Sequence, residues 1–304
     1  MEARASGDAD PSKILQRSIA NDRIHSAYLF TGTGETPVQA AQAFARALVC
    51  REATGSPCER CDACARSHED DETEPIALDG KGKRGPTHRH LGDHPDLLWV
   101  ERGRDDTRIT IGQVRDVQNA LRLGANEGGR RAAVVAGAEW LNPQAQNALL
   151  RLLEEPPALT TLILVASRAS AIIATIRSRS VRIRFPDPVG AGLRGPETPE
   201  AISEIVAALD GLRARPIGEV LDFAEQYRGA RATAALGVTE LIDVSSEWLR
   251  EEVKARTLRG ETPSVRALDA HRSLQQLRRD LIQRNANPQM VAERLLLGLR
   301  DAVT

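Results

Sequence analysis

Net charge is nearly absent from this sequence: 41 lysines and arginines stand against 42 aspartates and glutamates in 304 residues. That balance argues against a chain that coats nucleic acid by bulk charge, leaves room only for a local basic patch, and favours protein partners. Long apolar runs are missing too. The uncharged run 159–167 falls far below the ~20 residues of a membrane span. Residues 1–12 are polar and have no apolar signal-peptide core, so a cytoplasmic protein is expected. What is present is enough for real cores, since 41% of the residues are hydrophobic. The length suits two domains, or three small ones.

Cysteine is scarce, and all four fall in one short stretch: Cys50, Cys58, Cys61 and Cys64, spaced C-x7-C-x2-C-x2-C. Four soft ligands with no open position fit a structural zinc knuckle, about residues 50–68, that staples a loop and catalyses nothing. Two disulfides or a redox pair are the alternatives; a reducing compartment disfavours the first. His68 is a possible substitute ligand that nothing requires. His88, His90 and His94 lack a regular ligand spacing and make a poor second metal site.

The most telling absence is local. An apolar strand, 27–31, runs into Gly32-Thr33-Gly34-Glu35-Thr36-Pro37 and then into a helix, as in a nucleotide-binding phosphate loop. A working loop needs G-x-x-x-x-G-K-[ST]. Counted from Gly32, Pro37 stands at the second glycine, Val38 at the lysine and Gln39 at the hydroxyl. Proline offers no N–H to a phosphate, and no Lys or Arg lies between Arg23 and Arg46. The loop Gly32, Gly34, Pro37 is therefore degenerate, and no bound ATP is expected.

Strands at 27–31, 96–101, 132–136, 162–166 and 181–185 alternate with helices, which implies a parallel five-stranded sheet with right-handed crossovers. The unbroken apolar run 162–166 marks a strand buried on both faces. Asn142-Pro143 opens a helix as N-cap and first residue, and Glu155-Pro156-Pro157 ends it. The α/β domain is expected over 1–187, with a solvated mobile loop at about 69–93 whose basic part, 81–94, has DNA contact as its sharper reading. Residues 188–199 read as a linker or lid remnant. Everything over 200–304 is helical in pattern, with candidate helices at 201–209, 217–227, 232–254, 265–284 and 288–303. Leu281, Ile282 and the apolar run 295–299 exceed one helix's own needs, so those stripes are expected to pack against other subunits.

Several motifs resemble bacterial clamp-loader subunits of the AAA+ class. They are the run from Arg23 to Gly32, the four-cysteine module followed by His94-Pro95-Asp96, and the stretch Leu141-Asn142-Pro143 through Leu153-Glu154-Glu155-Pro156-Pro157. Thr175-Ile176-Arg177-Ser178-Arg179-Ser180 is similar to the family's Ser-Arg-Cys segment, with Ser180 where cysteine is usual, and 281–288 is similar to its collar. The resemblance implies an AAA+-like module with an inserted zinc knuckle, a helical lid (here reduced or missing) and an all-α collar for oligomerisation.

It also implies a subunit with no ATPase or polymerase activity of its own. Its partners would be motor subunits of the gamma/tau type and a delta subunit, with the sliding clamp and primed DNA reached indirectly. A motor subunit would end the corresponding strand with an aspartate for magnesium, whereas Val134-Val135 is followed here by Ala136-Gly137. Glu139 reads as a helix-start acid. In the family the arginine matching Arg179 reaches the γ-phosphate held by a neighbour, so Arg179 is the expected trans arginine finger; Arg177 is the second choice. An active P-loop ATPase with an atypical loop, or a stand-alone zinc-containing nucleic-acid-binding protein, are the competing functions.

Overall fold

The computed structural model describes residues 10–69, 75–103, 105–186, 200–260, 262 and 265–303. The segment 188–199 lies outside the described residues. The chain forms two compact units, Met1–Asp187 and Pro188–Thr304.

In the first unit, β1 (Ala27–Thr31), β3 (Leu97–Val100), β4 (Arg131–Val135), β5 (Thr160–Ala166) and β6 (Val181–Arg184) run parallel, and the short β2 (Arg89–His90) joins β3 antiparallel. The order is β2-β3-β4-β5-β1-β6, so the sheet has six strands rather than five. The added strand has no apolar alternation to announce it. Arg89 is held there by stacking on Trp99, 5.2 Å from the ring centroid, and by an ion pair with Glu69.

Alternate residues of the parallel strands, such as Tyr28, Phe30, Trp99, Val134 and Ile163, share one core cluster with two helices. These are α1 (Pro11–Ala20), through Leu15 and Ile19, and α2 (Thr36–Val49), through Phe44 and Leu48. Tyr28 meets Phe44 edge to face at 5.0 Å, a geometry that adds to simple burial. The residues between them, Leu29, Leu98, Leu162 and Leu164, are buried as well, so both faces of the sheet are covered.

Three further helices of ordinary kind belong to this unit: α3 (Asp62–Arg66), α4 (Ile111–Arg122) and α5 (Pro143–Glu154). Thr110 and Gln113 close a capping box on α4, which satisfies two otherwise orphaned amides. Asn142 caps α5, its Oδ1 accepting from the Ala145 amide at 2.7 Å, with Pro143 opening the first turn. A backbone bridge between Ile109 and Leu141 sets the starts of α4 and α5 side by side. After β5 the chain enters α6 (Ala174–Arg179) and then β6.

The second unit holds α7 (Glu200–Asp210), α8 (Ile217–Glu225), α9 (Arg231–Leu258), α10 (Val265–Gln283) and α11 (Pro288–Val303). Leu274, Leu277 and Leu281 recur at helical spacing on α10 and are buried. Leu281, Ile282, Leu295, Leu296 and Leu299 are likewise buried within this unit, so the apolar surplus assigned to subunit contacts is used up in the unit's own packing. The large apolar residues left exposed among the described residues of this unit are others: Ile217, Leu236, Leu258, Val265, Leu268 and Met290. Among the described residues no helix is long and apolar enough to cross a membrane.

Ile163 is fully buried in the sheet's core. Ile163→Ala is expected to cost the α/β unit about 2–5 kcal/mol through lost burial and a residual cavity, and Asn142→Ala about 1 kcal/mol through a lost cap. Urea denaturation of both variants checks the ranking.

Candidate functional site

The degenerate loop leaves β1 at Gly32, whose amide donates to the Ala166 carbonyl at 3.3 Å. A Cβ at Gly32 would stand 2.9 Å from the Phe185 carbonyl oxygen and 3.0 Å from Pro37 Cγ. The Pro37 ring, itself buried on the first turn of α2, thus lies directly against Gly32. Gly34 takes the left-handed conformation, φ 71°, which glycine enters without penalty. Glu35 is the N-cap of α2 and makes no side-chain cap bond; its carboxylate accepts from Gln39 Nε2 at 3.3 Å. A negative group at that helix start suits the dipole and repels an incoming phosphate.

At the end of β4, Gly137 turns left-handed, φ 68°, into a short 3₁₀ turn, Ala138–Trp140. Glu139 on that turn is buried, and its Oε1 accepts from the Ser167 amide at 3.2 Å, while Oε2 has no hydrogen-bond partner. The carboxylate therefore ties the end of β4 to the end of β5. Sequence reading placed it as a helix-start acid and missed this bond. No local pattern links positions 139 and 167.

Arg179 is the last residue of α6. Its Nη2 lies 3.0 Å from Glu154 Oε1 at the end of α5, with side-chain exposures of 40% and 51%, and its Nη1 donates to the Thr175 carbonyl at 3.2 Å. Such an exposed pair is worth about 0–1 kcal/mol, so the guanidinium can exchange Glu154 for a stronger anion at small cost. Arg177 is half-buried, and its Nε is enclosed without a hydrogen-bond partner. Ser180 donates to the Ile176 carbonyl at 3.0 Å.

The four cysteines converge. Cys50, at the end of α2, meets Cys58, Cys61 and Cys64 so that all four sulfurs lie within 4.8 Å of one another. Cys58 and Cys64 sulfurs are 3.9 Å apart, against an edge of about 3.8 Å for a tetrahedron with metal–sulfur bonds near 2.3 Å. Cys58 Sγ also accepts from the Cys61 amide at 3.4 Å. The group can hold a metal ion with no position left for substrate. Among the described residues neither His68 nor the histidines 88, 90 and 94 join a potential ligand set.

The frame around the cysteines is built from α2 and α3. Arg46 on α2 reaches Glu59 at 2.6 Å and the Cys64 carbonyl at 3.3 Å. Arg66 on α3 bonds the Asp93 carbonyl at 2.9 Å and pairs with Glu127. Burial pushes the Cys61 thiol up, but hydrogen bonds from the Arg51 and Cys64 backbone and from neighbouring thiols outweigh it and bring it down to about 6. Burial and the Cys61 and Cys50 thiols push Cys64 up to about 12.

Comparison with known proteins agrees with this arrangement. The family described as DNA polymerase III, delta subunit, matches residues 7–188. The chain belongs to that family. It is 29% identical over 174 residues to the DNA polymerase III subunit delta' of Bacillus subtilis, covering 57% of this chain and 46% of that protein. It is 34% identical over 158 residues to subunit delta' of Pseudomonas aeruginosa, covering 50% and 47%. Over 183 residues it is 27% identical to subunit tau of Bacillus subtilis, covering 59% of this chain and 28% of that protein. The chain spans about half the length of the delta' relatives it matches. The matched stretch in this family member is the α/β unit, which contains the degenerate loop, the cysteine group and Arg179.

Metal binding requires thiolates, so protons and metal compete at the cysteines. Between about pH 8 and 6, Cys64 holds a proton in the metal-free protein and affinity is expected to fall by roughly tenfold per pH unit from that residue alone. Below the Cys61 value of about 6, protonation of Cys61 steepens the loss further. Metal content measured after dialysis across this range, with Cys64→Ser as the depleted reference, checks the slope.

Proposed function

We propose that the chain is a non-hydrolysing, delta-prime-type subunit of a bacterial replicative clamp loader. In this reading it completes a ring with motor subunits of the gamma/tau type and a delta subunit, and serves the loading of a sliding clamp on primed DNA. It grips no triphosphate of its own, and Arg179 acts on one gripped by a neighbour.

The observation that carries the reading is the packing of Pro37 on Gly32. The residue that should present an amide to phosphate presents a ring instead, and no lysine stands beside it. Ala136 and Gly137 supply no carboxylate for magnesium at the end of β4. Neither the γ-phosphate nor its metal has the usual holder. Arg179 supports the second half of the reading, because it is partly exposed at a helix end and held by an exchangeable surface pair with Glu154 and one hydrogen bond to the Thr175 carbonyl. A planar guanidinium brought against phosphate oxygens from the next subunit stabilises the charge that shifts during transfer. Membership of the family and the printed names of the delta' relatives support the delta-prime-type part of the reading.

We read the four-cysteine group as a structural zinc site. The donor set is four sulfurs within 4.8 Å of one another, one pair at a tetrahedral edge length, which suits Zn²⁺ and leaves no catalytic opening.

In a loader reconstituted with its motor subunits, Arg179→Ala is expected to leave assembly intact and to slow hydrolysis at the interface it faces by roughly 10³-fold or more. Arg179→Lys should recover little, because a point charge does not reproduce the planar fork. Single-turnover ATPase measurements on the assembled complex read this directly. Unchanged hydrolysis in Arg179→Ala would remove the finger from the account.

A further inference from the structure

Two of the chain's four lysines, Lys81 and Lys83, sit beside Arg84 on a single turn. Over 80–85 the only other residues are Gly80, Gly82 and Gly85. The turn is built rather than merely exposed. Asp79 Oδ1 accepts the Lys81 amide at 2.9 Å, and its Oδ2 accepts the Lys83 and Arg84 amides at 2.8 and 2.7 Å. The Asp79 amide closes the neck by donating to the Pro86 carbonyl at 2.9 Å. Gly82 takes a left-handed φ of 62°.

Both arms of the turn are fixed to the start of α4. Gly80 donates to Asp106 Oδ2 at 2.6 Å and accepts from Thr110 Oγ1 at 2.7 Å. On the other arm Thr87 Oγ1 donates to Asp116 at 2.8 Å, and the Thr87 carbonyl accepts from Gln113 Nε2 at 3.1 Å. The acids nearest the turn, Asp79, Asp106 and Asp116, are thus engaged with backbone amides or a hydroxyl. The heads of Lys81, Lys83 and Arg84 are exposed; the Arg84 charge acts on Asp79, and among the described residues neither lysine makes a side-chain ion pair.

We propose that this turn is a contact for the phosphodiester backbone of a nucleic acid. A protein interface would be anchored by apolar or aromatic side chains, base readout on a single strand would use aromatic stacking, and a membrane contact would insert apolar groups. Residues 79–85 carry none of these. They carry closely spaced cations on glycines, which let an anionic chain approach the backbone. Lysine is a point charge with rotatable donors, suited to phosphates met at varied angles. The contact would be sequence-neutral: it positions a nucleic acid and does not read it. Balanced overall charge then has a use, since attraction is confined to one place. The inference stands apart from the role of Arg179, because its readout is binding and not hydrolysis.

The test uses the full chain and a fluorescent primed-template duplex of arbitrary sequence, followed by anisotropy from about 50 to 200 mM salt. Up to three phosphate contacts give an expected log–log salt slope of about −2 to −3. The triple variant Lys81→Ala, Lys83→Ala, Arg84→Ala is expected to flatten the slope by about 2 and to weaken binding at least about tenfold at low salt. Lys81→Arg with Lys83→Arg should bind like the parent chain. Asp79→Ala, which adds positive net charge but removes the acceptor that shapes the turn, should bind more weakly. No duplex binding, binding unchanged in the triple variant, or tighter binding by Asp79→Ala overturns the proposal. Equal affinity for polyaspartate at matched charge also overturns it and makes the turn an acidic-protein contact.

Discussion

In the proposed reading, the Pro37 ring packed against Gly32 governs what the α/β unit can do with a nucleotide. A phosphate loop works because consecutive amides converge on an anion at a helix start. Here the strand, the glycines and the helix are all in place, but the amide at the critical step does not exist. Its ring fills space against the backbone it should leave open, and Glu35 adds a negative charge at the same helix end. On the proposed reading the framework is kept while the anion site is spoiled in two ways, one steric and one electrostatic.

The rest of the unit is consistent with a scaffold turned outward. In a parallel sheet the loops after the strands gather at one edge, where ligands usually bind. At that edge Glu139 spends one carboxylate oxygen on the Ser167 amide, a strap between β4 and β5 in a place where a nucleotide-binding relative would keep acidic groups for metal. Arg179, by contrast, is left at the surface on a short helix, tethered by a surface pair with Glu154 and a hydrogen bond to the Thr175 carbonyl. Rigid elements on either side of it, α5 and β6, set where that guanidinium can reach.

Much of this was legible in the sequence because it depends on local chemistry. Asn142-Pro143 and Glu155-Pro156-Pro157 bracket α5 through capping and the loss of amides, and the run 162–166 marks a doubly buried strand. The cysteine spacing carries the metal-ligand group without any knowledge of the fold. What stayed hidden depends on partners far apart in the chain. Arg179 and Glu154 are brought together by the packing of α5 and α6, and Glu139 meets Ser167 only because β4 and β5 are neighbours. The edge strand β2 has two residues and no pattern. Counting apolar residues on α10 and α11 overstated their outward surface, because composition does not distinguish packing inside a helical unit from packing between subunits. The basic run at 81–84 carries both a solvated-loop and a DNA-contact reading in the sequence, and what the sequence does not show is the Asp79 acceptor network that shapes its turn.

The central claim is that this chain leaves the triphosphate to its neighbour. Titration calorimetry of the purified chain with Mg-ATP addresses it most directly. The account predicts no saturable heat at micromolar nucleotide, and the same result for a Pro37→Gly variant, which frees the loop but restores neither lysine nor hydroxyl. Saturable micromolar binding by the parent chain, displaced by ADP, would contradict it.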